Sequence, residues 1–194
     1  MKDPWQSKQT MKRTFIFLTS LIISSSVLSQ LRLNPYVGLH ISGDAEMYYI
    51  GPSLQIGADL QLKKRLLLTS YIHFFQKKVN RTEPGGFFEN GSFKTITVAA
   101  LIQANISNKL TRSFFFAGGF CVQRWNDKFI SDYASWDLQR TTLLPAIRIG
   151  YFFSTGKNKI AIELNGMGPY FYTDGEWNGV EILTQLSVGM RFIF

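Results

Sequence analysis

The chain has 194 residues, with 21 Lys and Arg against 13 Asp and Glu, a formal charge of +8 and one cysteine. A lone cysteine excludes an internal disulfide framework and a cysteine-based metal site, and the basic excess lacks the basic run or aromatic–basic motif of a nucleic-acid binder. Past residue 29 no apolar stretch reaches the roughly 20 residues of a spanning helix, so any crossing of a membrane must be made by strands.

Met1 to Thr10 is polar and shows no hydrophobic pattern, which leaves Met11 as a possible true start. Met11-Lys12-Arg13 is a basic n-region, Thr14 to Val27 is an apolar run with serines towards its end, and Val27-Leu28-Ser29 offers a cleavage site before Gln30. Residues 1–29 therefore read as a secretory signal peptide. Without them 165 residues remain, enough for one domain. The net charge falls to +5, because Lys2, Lys8, Lys12, Arg13 and Asp3 leave with the leader. No cysteine follows the apolar run, which argues against a lipid anchor.

Eight segments of the remaining chain alternate apolar and polar residues with the period of a strand. They are Leu33–Ser42, Ile50–Leu62, Arg65–Lys77, Phe93–Ile106, Leu110–Trp125, Leu138–Phe153, Lys159–Tyr172 and a last one, Leu186–Phe194, closing at the final residue. In the second, Leu54, Ile56, Ala58 and Leu60 face one way and Ser53, Gln55, Gly57 and Asp59 the other. Each is near or above the roughly 9–11 residues that a tilted strand needs to cross a bilayer. Short polar turns (63–64, 107–109, 154–158) alternate with longer connections, the longest being Lys78–Ser92 and Asn126–Asp137. Short turns at one end and long loops at the other mark an outer-membrane barrel, with both termini on the short-turn, periplasmic side.

A soluble, lipocalin-like barrel is the rival, but its outer face should carry many Lys and Glu. Here the polar faces hold mainly Gly, Ser, Thr, Gln and Asn, while the lysines gather in turns and loops. Five glycines on that face, Gly38, Gly57, Gly119, Gly150 and Gly189, would relieve crowding in a narrow lumen. The expected fold is all-β: an eight-stranded antiparallel up-and-down transmembrane barrel over 30–194. Its lumen should be filled by side chains, since eight strands leave room for little else.

These features resemble the small eight-stranded outer-membrane barrels, the class of the OmpA transmembrane domain and outer membrane protein X. The Ser-Gln at the end of the leader, the basic turns and the closing Arg-Phe-Ile-Phe look most like the Bacteroidota porin-type β-barrel family. The resemblance implies a Gram-negative outer-membrane location and brings no catalytic residue. It implies contact with outer-membrane lipid and lipopolysaccharide, and with the barrel-assembly machinery during biogenesis. Val188, Met190, Phe192 and Phe194, on one parity of the last strand, look like the assembly signal.

His40 and Ser42 share a face of the first strand, with Glu46 nearby, and His, Ser and Glu can form a hydrolytic triad. The spacing resembles the His-x-Ser of outer-membrane lipid A deacylases, but Gly43 stands where that motif has Asn and the motif falls in the first strand. Parity turns both side chains into the lumen, so hydrogen bonding there is the favoured reading and a lipid hydrolase the alternative. A narrow channel or transport component is the second alternative. His40 and His73 without further ligands make no metal site, and no cofactor is expected. Among the charged residues of inward parity are Asp59, Arg148, Glu163 and Arg191. Buried charges must pair, so they are expected to close the lumen near its periplasmic end. Phe87, Phe88, Trp136 and Trp177 in the outer connections are candidates for contact with an unidentified extracellular or envelope partner. The functional expectation is a non-enzymatic barrel presenting four surface loops in a structural, adhesive or binding role.

Overall fold

The computed structural model describes residues 32–44, 49–82, 88–107, 112–132, 135–155, 158–174, 177–181 and 185–194. The expected leader with Met11, and Glu46 and Phe87, lie outside the described residues, as do the side chains of Phe88, Trp136 and Trp177.

Among the described residues ten strands follow one another: β1 (Leu33–Asp44), β2 (Ile50–Lys63), β3 (Leu66–Thr82), β4 (Phe88–Asn105), β5 (Arg112–Ser131), β6 (Ser135–Thr155), β7 (Asn158–Met167), β8 (Tyr170–Asp174), β9 (Trp177–Glu181) and β10 (Gln185–Ile193). Eight of them close a barrel in the order β1-β10-β7-β6-β5-β4-β3-β2, while β8 and β9 form a separate two-stranded sheet. All neighbouring pairs described for the barrel are antiparallel, and β1 joins β10 from Tyr36–Ile193 to Asp44–Gln185, so the first and last strands make the closing seam.

The barrel is inside-out relative to a soluble domain. Leu39, Phe120 and Leu143 on the outer face are 57%, 63% and 70% exposed, whereas Arg148, Arg191, Gln103 and Thr97 are fully buried. Water would penalise such a surface and hydrocarbon would not, which is why the period-two pattern places apolar residues outward.

Two expectations about the strands need correction. The seventh was expected to run to Tyr172, but β7 ends at Met167, and 170–174 belongs to β8. Gly168 takes a positive φ of 136°, a conformation that only glycine adopts readily, and Pro169 has no N–H for the ladder, so the chain leaves the wall there. The stretches Lys78–Ser92 and Asn126–Asp137, expected as loops, are mostly strand, leaving only 83–87 and 132–134 between paired segments. Their inward residues Val79 and Phe129 are buried, and their outward residues are mostly polar, Ile130 excepted. The apolar band ends at Phe74, Ile96, Val122 and Leu143 on successive strands, and polar residues such as Lys78, Lys94, Lys128 and Gln139 follow on the same face.

The wall is therefore of uneven height. Pairing of β2 with β3 begins at Ser53–Phe75, and pairing of β6 with β7 begins at Ala146–Met167. Above those points β3 to β6 continue as a four-stranded sheet. Among the described residues, one edge of Gln76–Thr82 and one of Ser135–Leu144 pair with no strand, the Pro145 carbonyl accepting from the Gly168 amide at 3.0 Å.

Candidate functional site: a sealed polar lumen

The inward parity of β2, β6, β7 and β10 brings Asp59, Arg148, Glu163 and Arg191 together. Arg191 Nη1 donates to both carboxylate oxygens of Asp59, at 3.0 and 3.2 Å, and its Nε lies 3.0 Å from Glu163 Oε2. Arg148 Nε is 3.7 Å from Glu163 Oε1 and donates to Asn165 Oδ1 at 2.6 Å. Two guanidinium groups thus face two carboxylates, and the buried charges balance. Asp59 also lines the mouth at the end of the barrel where β1 begins and β10 finishes, beside Asn34 and Lys159, around a cavity of about 10 Å³, room for one water at most.

Sequence reasoning missed several members of this cluster. His40 Nε2 lies 3.3 Å from Glu163 Oε1, giving that carboxylate a third neighbour. The Arg191 guanidinium carbon sits over the rings of Tyr36, Phe115 and Phe152 at 4.6, 5.3 and 5.5 Å, and that of Arg148 over Tyr71 at 4.5 Å. Such stacking suits a planar, weakly hydrated cation removed from water. Phe115 and Phe152 were hard to place because each lies within a run of aromatics, Phe114–Phe116 and Tyr151–Phe153, where alternation gives no contrast. Gln103 Oε1 accepts from Arg191 Nη2 at 3.2 Å, and Thr69 Oγ1 from Arg148 Nη1 at 3.4 Å.

Towards the other end lies a layer of small polar groups. Ser42 Oγ is 2.6 Å from Ser53 Oγ and 3.3 Å from His73 Nε2. The structure therefore pairs Ser42 with His73 on β3, while His40, expected beside it, turns to Glu163. A serine and a histidine in contact are two parts of a hydrolytic site, but His73 Nδ1 has no hydrogen-bond partner among the described residues. Among the described residues no carboxylate orients the ring, and Ser42 is only 1% exposed. This layer can hold the wall together.

Beyond it Gln185 Oε1 accepts from Gln123 Nε2 at 2.7 Å and from Thr95 Oγ1 at 3.3 Å. Tyr49, Phe75, Val79 and Phe93 then pack as an apolar plug, with Trp125 half-buried against Phe93 at 6.4 Å between ring centroids. Parity puts Trp125 inside the mouth, on the inner face of the protruding sheet. No group of three or more His, Cys, Asp and Glu suited to a metal ion occurs among the described residues.

Val188, Met190 and Phe194 on the last strand are exposed on the lipid side, at 49%, 46% and 68%. Phe192 shares their face, and the Phe194 amide donates to Pro35 O at 3.0 Å across the seam.

No protein-family model matches the sequence. No curated protein matches it either. Solved structures do. The Neisserial surface protein A overlays with a TM-score of 0.51 at 11% identity, over 84% of this chain and 95% of that one. Ail, the attachment invasion locus protein of Yersinia pestis, overlays at 0.45 and 14% identity, over 84% of this chain and 97% of its own. The N-terminal β-barrel domain of Pseudomonas aeruginosa OprF overlays at 0.45 and 11% identity, over 85% and 100%. At these identities the likeness to the Neisserial protein carries the fold: a small, closed, eight-stranded antiparallel barrel of the outer-membrane kind.

Proposed function

We propose that the protein is an integral outer-membrane barrel without catalytic activity, and that it anchors a recognition surface outside the cell. The observation that carries this reading is the four-stranded extension of β3 to β6 beyond the apolar band. A strand edge without a partner offers main-chain N–H and C=O groups to an extended peptide, which can add as a further strand. Among the described residues two such edges flank the extension, at Gln76–Thr82 and Ser135–Leu144. Outward Lys78, Lys94, Arg124 and Lys128 stand just past the apolar band, at the level where lipopolysaccharide phosphates would meet them. The packed lumen supports an anchor over a channel, because Arg148 and Arg191 fill its section and are themselves held by carboxylates.

The topology has both termini in the periplasm and the β3–β4, β5–β6 and β7–β10 connections outside, on the general asymmetry of such barrels. An epitope inserted between Gly85 and Gly86, or next to Asp132, is expected to bind antibody on intact cells. The same epitope at 156–157 is expected to bind only after lysis. Labelling of intact cells at 156–157 would invert the orientation and remove the recognition surface.

The outward face of β10 is proposed as the signal read during assembly, by pairing with an open edge of the assembly machinery. Changing Phe192 and Phe194 to Ser is expected to reduce the heat-modifiable barrel in membranes severalfold. Unchanged amounts would separate the terminal aromatics from assembly.

A further inference from the structure

The two ends of the barrel differ in charge. At the end where β1 begins and β10 finishes, Lys63, Lys64, Arg65, Arg112 and Lys159 are gathered within the described residues. The only acidic side chain described there is Asp59, turned inward and held by Arg191. The opposite end mixes signs, with Asp44, Asp127, Asp132 and Asp137 among its lysines and arginines. A rim of one sign attracts counter-charged groups from the adjoining membrane surface.

One of these residues stands on the lipid face beside a groove. Arg112 is exposed and lies two residues before Phe114, on the same face of β5, about 7 Å along the strand. Phe153 is its cross-strand neighbour on β6, as Tyr151 is that of Phe114. Tyr151 is wedged edge-on between Phe114 and Phe153, at 4.6 and 4.7 Å between centroids, which makes a firm aromatic wall. From this wall an apolar groove of about 580 Å³ runs towards the middle of the barrel, lined by Phe114, Phe116, Ile149, Phe153, Ile162 and Leu164. An exposed cation at the head of a hydrocarbon groove matches an amphiphile with an anionic head.

We propose that this is a binding site for an anionic phospholipid of the leaflet at the end where β10 finishes, with an acyl chain in the groove and its phosphate on Arg112. The guanidinium fork donates two parallel N–H groups to phosphate oxygens, which an ethanolamine lipid would partly neutralise with its own ammonium and a glycerol lipid would not. The inference rests on the orientation proposed above, in which this end lies in the phospholipid leaflet and the opposite end meets lipopolysaccharide. Epitope mapping on intact cells tests that orientation separately.

The test uses the full chain folded in detergent and offered equal amounts of phosphatidylglycerol and phosphatidylethanolamine with identical acyl chains. Lipid retained on the barrel is read by native mass spectrometry. Phosphatidylglycerol is expected to be retained at least fivefold over phosphatidylethanolamine. Arg112→Gln is expected to bring the ratio within twofold of unity, and Arg112→Lys to keep most of it. Ile162→Trp, which fills the groove, is expected to lower retention of both lipids. Each variant is compared only as the heat-modifiable, folded species, and the lysine variant keeps the test available if the glutamine variant folds poorly. Equal retention of the two lipids by the unaltered chain overturns the proposal, as does a preference that survives Arg112→Gln. Complete displacement of the lipid by glycerol phosphate would show a head-group site without the groove. Arg112-dependent co-sedimentation with peptidoglycan, without lipid preference, would assign the rim to that polymer instead.

Discussion

Replacing Glu163 by Gln is expected to destabilise the folded barrel by about 3–5 kcal/mol, the cost of leaving a buried ion cluster one charge short. The change is nearly isosteric, so packing is preserved and the effect is electrostatic. Glu163 lies against Arg191 Nε at 3.0 Å, Arg148 Nε at 3.7 Å and His40 Nε2 at 3.3 Å, with its side chain fully buried. Removing its charge leaves two guanidinium groups and only Asp59, which sits at the mouth on the far side of Arg191. Equilibrium unfolding in urea, in lipid vesicles, reads the loss. Two comparisons isolate the cause. Lys128→Gln breaks an ion pair of 2.6 Å with Asp137 in which both side chains are more than half exposed, and is expected to change stability by less than about 1 kcal/mol. Adding Arg148→Gln to Glu163→Gln restores the balance of charge, and the double variant is expected to recover part of the loss, a coupling that a double-mutant cycle measures. Stability unchanged in Glu163→Gln would mean that the cluster is wet enough for water to replace the carboxylate.

Gly189→Val is expected to prevent closure of most molecules. Gly189 pairs with His40 across the β1–β10 seam. A Cβ on Gly189 would run into the His40 ring and into the Leu39 carbonyl. The histidine could in principle swing away, but it is boxed in by Glu163 and by the ring of His73, 6.0 Å between centroids, and the carbonyl belongs to the ladder. Overfilling a packed interior costs about 1–3 kcal/mol when side chains give way. Obstruction by backbone exceeds that, because the first and last strands must separate to relieve it. The expected result is a folded fraction, read as heat-modifiable migration, reduced at least tenfold. Gly118→Val is the control. Gly118 lies on the outer face, where an added Cβ meets only Phe116 at 3.8 Å, and its folded fraction is expected to stay within twofold of the unaltered chain. Equal behaviour of the two variants would reject the tight seam.

The sequence by itself determined the class of fold, the number of strands in the wall and the face that each presents. Period-two alternation is a local property. In Ile50–Leu62 every second residue is apolar, and a strand has no freedom to turn them anywhere but to one side. Parity alone therefore sends Asp59, Arg148, Glu163 and Arg191 inward, and an uncompensated charge in a crowded lumen is costly enough that they meet. What parity cannot specify is which neighbour each inward group reaches. Closure shears the strands, so His40 comes to Glu163, on the far side of the seam, and His73 to Ser42. Aromatic runs hide the cage around Arg191, since Phe114, Phe115 and Phe116 read alike until the pleat assigns one of them to the lumen. The ends of strands were equally beyond local reading. Lys78–Ser92 carries Gly, Pro and charges and looks like a loop, yet pairing of β3 with β4 carries most of it as strand once Phe93 and Val79 have Tyr49 and Phe75 to pack against. Only the closed barrel supplies those partners, and among the described residues only the uneven ladders of β2–β3 and β6–β7 leave the tall sheet with unpaired edges.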